Sequence, residues 1–222
     1  MKIVTTSDAH GNLPTINNSC DIFICGGDKF PNSTRMWGED GEFQLKWAKQ
    51  HYFPWIQKIR ANRIYSIMGN HDGVLTTNNE ISQEFRSLCK QNNIILLEDS
   101  GDSYQGFNIW GSPLSFDPDF IGVNWAFGRK TEEELAQEYS KIPHDIDILI
   151  THTPPHGILD CGYMKHNGMI EHMGSIALKR RVLEVLPNVH ICNHIHEWGG
   201  IKVRLGKTLF INSACNVVEF NI

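Results

Sequence analysis

The chain has 222 residues, with 20 Lys and Arg against 25 Asp and Glu, giving a formal charge of −5. At 41% apolar and 20% charged it can bury a real core, which excludes a disordered chain or a disulfide-stapled peptide and predicts one domain over residues 1–222. The negative balance excludes a broad basic surface for long nucleic acid or an anionic membrane.

From the N-terminus, short apolar runs closed by Asp, Gly, His or Asn predict buried strands at 3–7 and 22–25. Residues 43–61 read as helical, with Pro54 breaking or kinking the run. A third strand is expected at 63–68. Ile81, Phe85, Leu88 and Cys89 then fall on one helical stripe. Residues 94–111 hold short β-rich runs separated by Gly. Thr131 and Glu134 have capping-box spacing and open a helix through about Lys141. A fourth strand follows at 146–151. Leu178, Val182, Val185 and Leu186 form a second helical stripe, and 189–192 a fifth strand. The run 202–211, with Gly206 in its middle, reads as a hairpin within a β-rich stretch at 201–219. Strands alternating with helices predict an α/β fold, and the two β-rich stretches predict a mixed sheet.

Six cysteines without a CxxC pair predict reduced thiols. No uninterrupted apolar run exceeds four residues, so neither a signal peptide nor a membrane span is expected, and the cytoplasm is the expected location.

Polar clusters close the predicted strands: Asp8-Ala9-His10-Gly11-Asn12, Gly26-Gly27-Asp28, Gly69-Asn70-His71-Asp72, His152 in Thr151-His152-Thr153-Pro154-Pro155, and Asn193-His194-Ile195-His196. The crevice beyond strand carboxyl ends is where α/β sheets bind ligands. Singly, most of these clusters mean little. A shuffle of this composition gives about 0.6 Asp-x-His and about 0.5 His-x-His matches, Gly-Gly-Asp is an ordinary turn, and a lone His152 would ordinarily be a hydrogen-bonded core or loop residue. Gly-Asn-His-Asp is rarer, at about 0.004 expected matches. All five in order, each at a strand end, are poorly explained by chance.

Imidazole, carboxylate and one amide oxygen, without thiolate, suit Mn, Fe, Zn or Ni rather than Ca or a structural zinc knot. Asp28 is the candidate bridge, since one carboxylate can join two cations about 3.5–4 Å apart. Alternation along a strand would put His194 and His196 on one side, one for each metal.

The ordered set DxH, GD, GNH[DE], H and a final motif of GHxH type resembles the signature of the calcineurin-like metallophosphoesterases from Asp8 to His196. The segments THTPPHG, HICNHIHEWGG and FINSAC are similar to the small metallophosphoesterase-domain branch that includes the mammalian brain forms. The resemblance implies a four-layer α/β/β/α sandwich of mixed sheets and a dinuclear site. One metal would be held by Asp8, His10, Asp28 and His196, and the other by Asp28, Asn70, His152 and His194. His71 would stand beside the leaving group as general acid, with Asp72 orienting its imidazole. Asn193 occupies the place where the last motif usually has Gly, which would leave the backbone less free and put the approach of His194 at issue. Some members of the branch replace that His; this chain keeps it.

Two divalent cations would outweigh Asp8, Asp28 and a bridging hydroxide, leaving a local charge of about +1 that attracts phosphate. The implied reaction is hydrolysis of small or nucleotide-type phosphodiesters by that hydroxide, with manganese as the first metal expected. A phosphomonoesterase or protein phosphatase is the alternative enzyme. A catalytically weak metal-binding scaffold is the alternative of another class, although here every ligand position is filled. Asn12 is a candidate donor to a phosphate oxygen beside Asn70. Phe30, Trp37 and Trp198 are candidates for a nucleobase platform as well as for wall or core. His51, His144, His156, His166, His172 and His190 are read as structural or exposed, His156 being notable for following the Pro pair after His152. Cys25 and Cys192 read as buried apolar residues. Lys179-Arg180-Arg181 is the one basic cluster, too small for a nucleic-acid groove. The expected partner is a small phosphoester; the oligomeric state stays open.

Overall fold

The computed structural model describes residues 1–32, 40–117, 125–164 and 168–222. Strands β1 (Lys2–Thr6), β2 (Cys20–Cys25), β3 (Ala61–Ser66) and β4 (Ile94–Leu96) pair in parallel, in that order. Strands β5 (Ser100–Tyr104) and β6 (Phe107–Ser112) form a hairpin, and β7 (Ser115–Phe116) makes a short parallel ladder with β8 (Gly128–Arg129). Then come β9 (Ile148–Thr151), the hairpin of β10 (Cys161–Met164) with β11 (Met169–His172), β12 (Val189–Cys192), the hairpin of β13 (Lys202–Leu205) with β14 (Thr208–Asn212), and β15 (Val218–Asn221). One large sheet has the order β15-β1-β2-β3-β4, the other β13-β14-β12-β9-β6-β5. Antiparallel β15 edges the first sheet and the two hairpins edge the second, so both sheets are mixed.

Period-2 alternation sorts the side chains into three apolar layers. Along β2, Ile22 and Ile24 face the second sheet and pack with Tyr65, Ile109, Ile148 and Ile191. Phe23 and Cys25 face the opposite way, toward Phe30, Tyr52 and Phe85. On the far side of the second sheet, Leu149 and Cys192 pack with Leu135, Leu178 and Val182. Each fully buried Ile or Phe contributes about 1.5–3 kcal/mol relative to exposure. The architecture is therefore the α/β/β/α sandwich.

The outer layers are helices α1 (Gly41–Trp47), α2 (Phe53–Ile56) and α3 (Asn79–Gln91) on one side, and α4 (Glu132–Tyr139) and α5 (Ile176–Val185) on the other. The break expected at Pro54 is a π-helical turn, Ala48–Tyr52, in which the Phe53 N–H reaches back to the Ala48 carbonyl. Pro54, with no N–H to give, stands in the first turn of α2. Thr131 and Glu134 form the capping box of α4. Glu132 of α4 accepts from the Ser175 hydroxyl and from the Ile176 and Ala177 N–H groups, so its carboxylate caps α5. The third predicted strand keeps its length but lies two residues earlier, Ala61–Ser66, and the fourth is shorter than expected, starting at Ile148.

Because β1, β2 and β3 run parallel in one sheet and β9 and β12 run parallel in the other, five loops leave from carboxyl ends at one rim. Bonds between the sheets close it. The Asn193 side chain donates to the Gly26 carbonyl at 3.2 Å, and Cys215 N donates to Ser7 O at 2.9 Å.

Candidate active site and metal centre

Two groups of donors face each other at this rim. In one, Asp8, His10 and His196 offer ligand atoms all within 4.8 Å of one another; in the other, Asp28, His152 and His194 do so within the same limit. Asn70 joins the second group, its Oδ1 lying 2.9 Å from His152 Nε2. The groups are joined by His194 N, which donates to Asp8 Oδ2 at 3.2 Å, and by the His10 and His71 rings, 5.1 Å apart.

The histidines are held by their other ring atoms. His152 Nδ1 donates to the Gly26 carbonyl at 3.1 Å and His10 Nδ1 donates to Asn32 Oδ1 at 3.0 Å, which turns each Nε2 toward the centre. Asp8, His10, Asp28 and His194 all have left-handed backbone, with φ of 53°, 43°, 47° and 69°, at a cost of about 1–2 kcal/mol each. Four strained non-glycine residues at one rim are maintained by the surrounding hydrogen bonds and mark a functional arrangement. At Gly69 a Cβ would stand 2.2 Å from Asp28 Oδ1 and 2.5 Å from His152 Cε1, so only glycine lets the third loop approach.

The electrostatics fit a cation. Burial alone would raise Asp28, yet the neighbouring His152, His71 and His10 hold its carboxyl far below the usual range. Burial likewise opposes His152, but Asp28 and then Asp8 raise it to about 9. Its Nε2 faces two acceptors, Asn70 Oδ1 and Asp28 Oδ2 at 3.4 Å, so without metal a proton occupies the place where a metal would bind. His194 is lowered to about 4 by burial and by His152, leaving a neutral imidazole. Among the described residues, Asp8 Oδ1 is buried and accepts no aligned hydrogen bond, although His196 Nε2 lies 3.3 Å away. An orphaned carboxylate oxygen beside two imidazoles, facing a second set of the same chemistry, is what a pair of divalent cations requires.

Residues 1–198 match the family model described as Calcineurin-like phosphoesterase. The chain belongs to this family. It is 31% identical over 231 residues to metallophosphoesterase domain-containing protein 1 of Homo sapiens and of Mus musculus, an alignment covering 99% of this chain and 67% of each relative. The phosphopantetheinyl hydrolase of Mycobacterium tuberculosis shares the fold with a TM-score of 0.58 at 10% identity, over 97% of this chain and 89% of that one. A putative 5'-nucleotidase from Staphylococcus aureus does so with a TM-score of 0.53 at 13% identity, over 95% and 48%. This calcineurin-like phosphoesterase is a metal-dependent phosphoric ester hydrolase, of a family whose metal centre is dinuclear.

Several residues of this phosphoesterase stand differently from the expectation. Asp72 does not orient His71. Its carboxylate is fully buried and accepts from Asp28 N, Lys29 N, Gly69 N and Lys29 Nζ, which fastens the second loop to the third. The His71 ring packs instead on Trp125, centroids 4.4 Å apart, an aromatic that no periodicity singled out. Burial lowers the His71 pKa, with Asp28 opposing. His194 and His196 are not on a strand: β12 ends at Cys192, His194 is left-handed, and His196 opens a 3₁₀ turn. The turn, not strand alternation, sends the two imidazoles to different donor groups. Asn193 does not hinder His194, because the positive φ falls on His194 itself. Asn193 is fully buried, donates to Thr151 O and accepts from the Ser213 hydroxyl.

Phe30 is core and carries no platform. Trp198 is half-buried and donates to Cys161 O, while Trp37 and His166 lie outside the described residues. Cys25 and Cys192 are buried as expected. Asn12 is exposed and lines a cavity of about 290 Å³ with Asp8, His10, Pro14, His196 and Cys215. Among the described residues, no helix is long and apolar enough to cross a membrane.

Proposed function

We propose that the chain hydrolyses small phosphodiesters, nucleotide-type diesters among them, with manganese as the first metal to load. The convergence of Asp8, His10 and His196 with Asp28, His152, His194 and Asn70 at one rim, with His71 beside them, carries this reading. Asp8, His10, Asp28 and His196 would hold one cation, and Asp28, Asn70, His152 and His194 the other. When bound, the cations supply positive charge to the phosphoryl oxygens and lower the pKa of water toward neutrality.

The rest is work for the chain's own groups. Asp28, pinned through Oδ1 by the His71 N–H at 2.8 Å, keeps its second oxygen toward His152. His71 stands where the leaving oxygen of a phosphate seated on the donor groups would emerge, and donates its proton to that oxygen as the P–O bond breaks. Trp125 and His10 bracket the ring and limit its rotation. The phosphate's own negative charge favours the protonated imidazole, against the effect of burial. Asn12, on the cavity wall, donates to the bound phosphate or its substituent. The cavity of about 290 Å³ beside Asp8, His10 and His196 is at the small end for ligand pockets and suits a small phosphoester. Six free thiols suit a reducing compartment such as the cytoplasm.

Protein stripped of metal and reloaded with Mn, Fe, Ni or Zn is assayed on bis-(p-nitrophenyl) phosphate, p-nitrophenyl phosphate, and mono- and diester nucleotides. Higher kcat/KM on diesters than on the matched monoesters is expected. A preference for monoesters with every metal would reject the diesterase reading.

A further inference from the structure

A third donor cluster lies outside the centre described above, and we propose that it is a zinc-binding clip. Asp160, Cys161 and His172 offer an oxygen, a sulfur and a nitrogen within 4.8 Å of one another. Cys161 and His172 are register partners across the β10–β11 hairpin, with Sγ 3.4 Å from Nδ1. Donors of a tetrahedral zinc with bonds of about 2.0–2.3 Å stand roughly 3.3–3.7 Å apart, so this pair is already at ligand spacing. Asp160 Oδ1 lies 2.8 Å from the same Nδ1. His156 stands beside these three, its ring centroid 4.9 Å from that of His172, and would supply the fourth donor by turning its side chain inward.

The surroundings hold the cluster in place. Asp160 is buried, and its other oxygen accepts from Gly157 N and Gly174 N, so the carboxylate is oriented independently of His172. His156 N donates to Ser175 O at 2.9 Å, which seats the His156 loop against the segment following the hairpin. The thiolate, with imidazole beside it, favours zinc over manganese or magnesium, and so distinguishes this cluster from the thiolate-free centre at the rim. Binding displaces the Cys161 thiol proton to solvent, and the His172 proton that faces Asp160 at Nδ1 gives way to the Nε2–H tautomer, which frees the Nδ1 lone pair for the metal.

The clip joins two segments that serve the active site. His156 follows His152 by four residues. Cys161 O accepts from Trp198 Nε1, and Tyr163 N donates to Glu197 Oε1, which ties the hairpin to the turn that opens with His196. A zinc here would brace both histidine loops from outside.

The test measures metal per chain by elemental analysis after chelation, zinc reloading and desalting of the full chain. Wild type is expected to hold one more equivalent than Cys161→Ser or His172→Gln. Asp28→Asn, expected to lose the central pair, should keep one zinc, and adding Cys161→Ser should remove it. Should Asp28→Asn retain more than one equivalent, the shared-carboxylate reading fails, while a further loss of one on Cys161→Ser still reports the clip. No loss on Cys161→Ser in either background overturns the proposal. Cobalt(II) provides a readout that needs no stoichiometry: wild type and Cys215→Ser should show a near-ultraviolet thiolate-to-cobalt band, and Cys161→Ser should not. A wild-type spectrum without that band overturns it as well.

Discussion

At the scale of single residues, the site depends on a few groups held in conformations they would not choose alone. Asp28 has left-handed backbone, a carboxyl held far down by surrounding imidazoles, and one oxygen fixed by a backbone N–H. Asp28→Asn removes the negative charge expected to be shared by the two cations and should strip both from the centre, abolishing hydrolysis with the fold retained. Turnover of bis-(p-nitrophenyl) phosphate at the wild-type rate would contradict this. His71→Ala tests a separate function, because the ring packs on Trp125 and His10 while its backbone holds Asp28. Metal content at the centre should be unchanged. Hydrolysis of esters with poor leaving groups should fall about 10²–10⁴-fold, and that of p-nitrophenyl esters far less, since a good leaving group needs no proton. Equal slowing of both substrate types would remove the general-acid role.

At the scale of elements, the loops after β2 and β3 are locked by a buried ion pair. Lys29 and Asp72 are both fully buried, 3.0 Å apart, with Lys29 Nζ also donating to Ile67 O. Burial disfavours the Lys29 charge, but Asp72 outweighs it and keeps its pKa raised. Asp72→Ala should therefore destabilise the protein by about 3–5 kcal/mol, mainly by stranding the ammonium. The double variant Lys29→Met with Asp72→Ala should recover part of that loss in denaturant unfolding. A double variant as unstable as the single would show that the lost backbone acceptor, not the stranded charge, sets the cost. Helical stripes and the Thr131 capping box are legible in the chain because they act within one or two turns. The Glu132 cap on α5 is not, because the acceptor and its donors are 43 to 45 residues apart. Strand ends are only partly legible: His194 and His196 share a strand-like spacing, but the chain turns at Asn193, whose side chain bonds Gly26 and Thr151 rather than a neighbouring residue.

At the scale of the whole molecule, one buried group gives a pH dependence that belongs to folding rather than catalysis. His190 is fully buried beside Thr151, and burial lowers it from 6.5 to about 3. The unfolded chain takes up this proton below pH 6.5 while the folded one does not until about pH 3, so the stabilisation is whole above 6.5 and is lost as pH falls toward 3. Relative to His190→Gln, wild type should lose about 1.4 kcal/mol of unfolding free energy per pH unit across that window. Parallel stability profiles for the two proteins would rule this out. The primary structure alone determined the alternation of strands and helices, the outer helical faces, and the types of donor that close each strand, because hydrophobic period and local hydrogen bonding act over short windows. Tertiary structure alone decided which donor meets which: His194 N reaches Asp8 across 186 positions and Asp28 N reaches Asp72 across 44. It also placed Trp125 against His71 and drew Cys161, His172 and His156 together. Those meetings follow from the order in which the strands pair and the sheets pack, which is a property of the whole core that no short stretch of chain encodes.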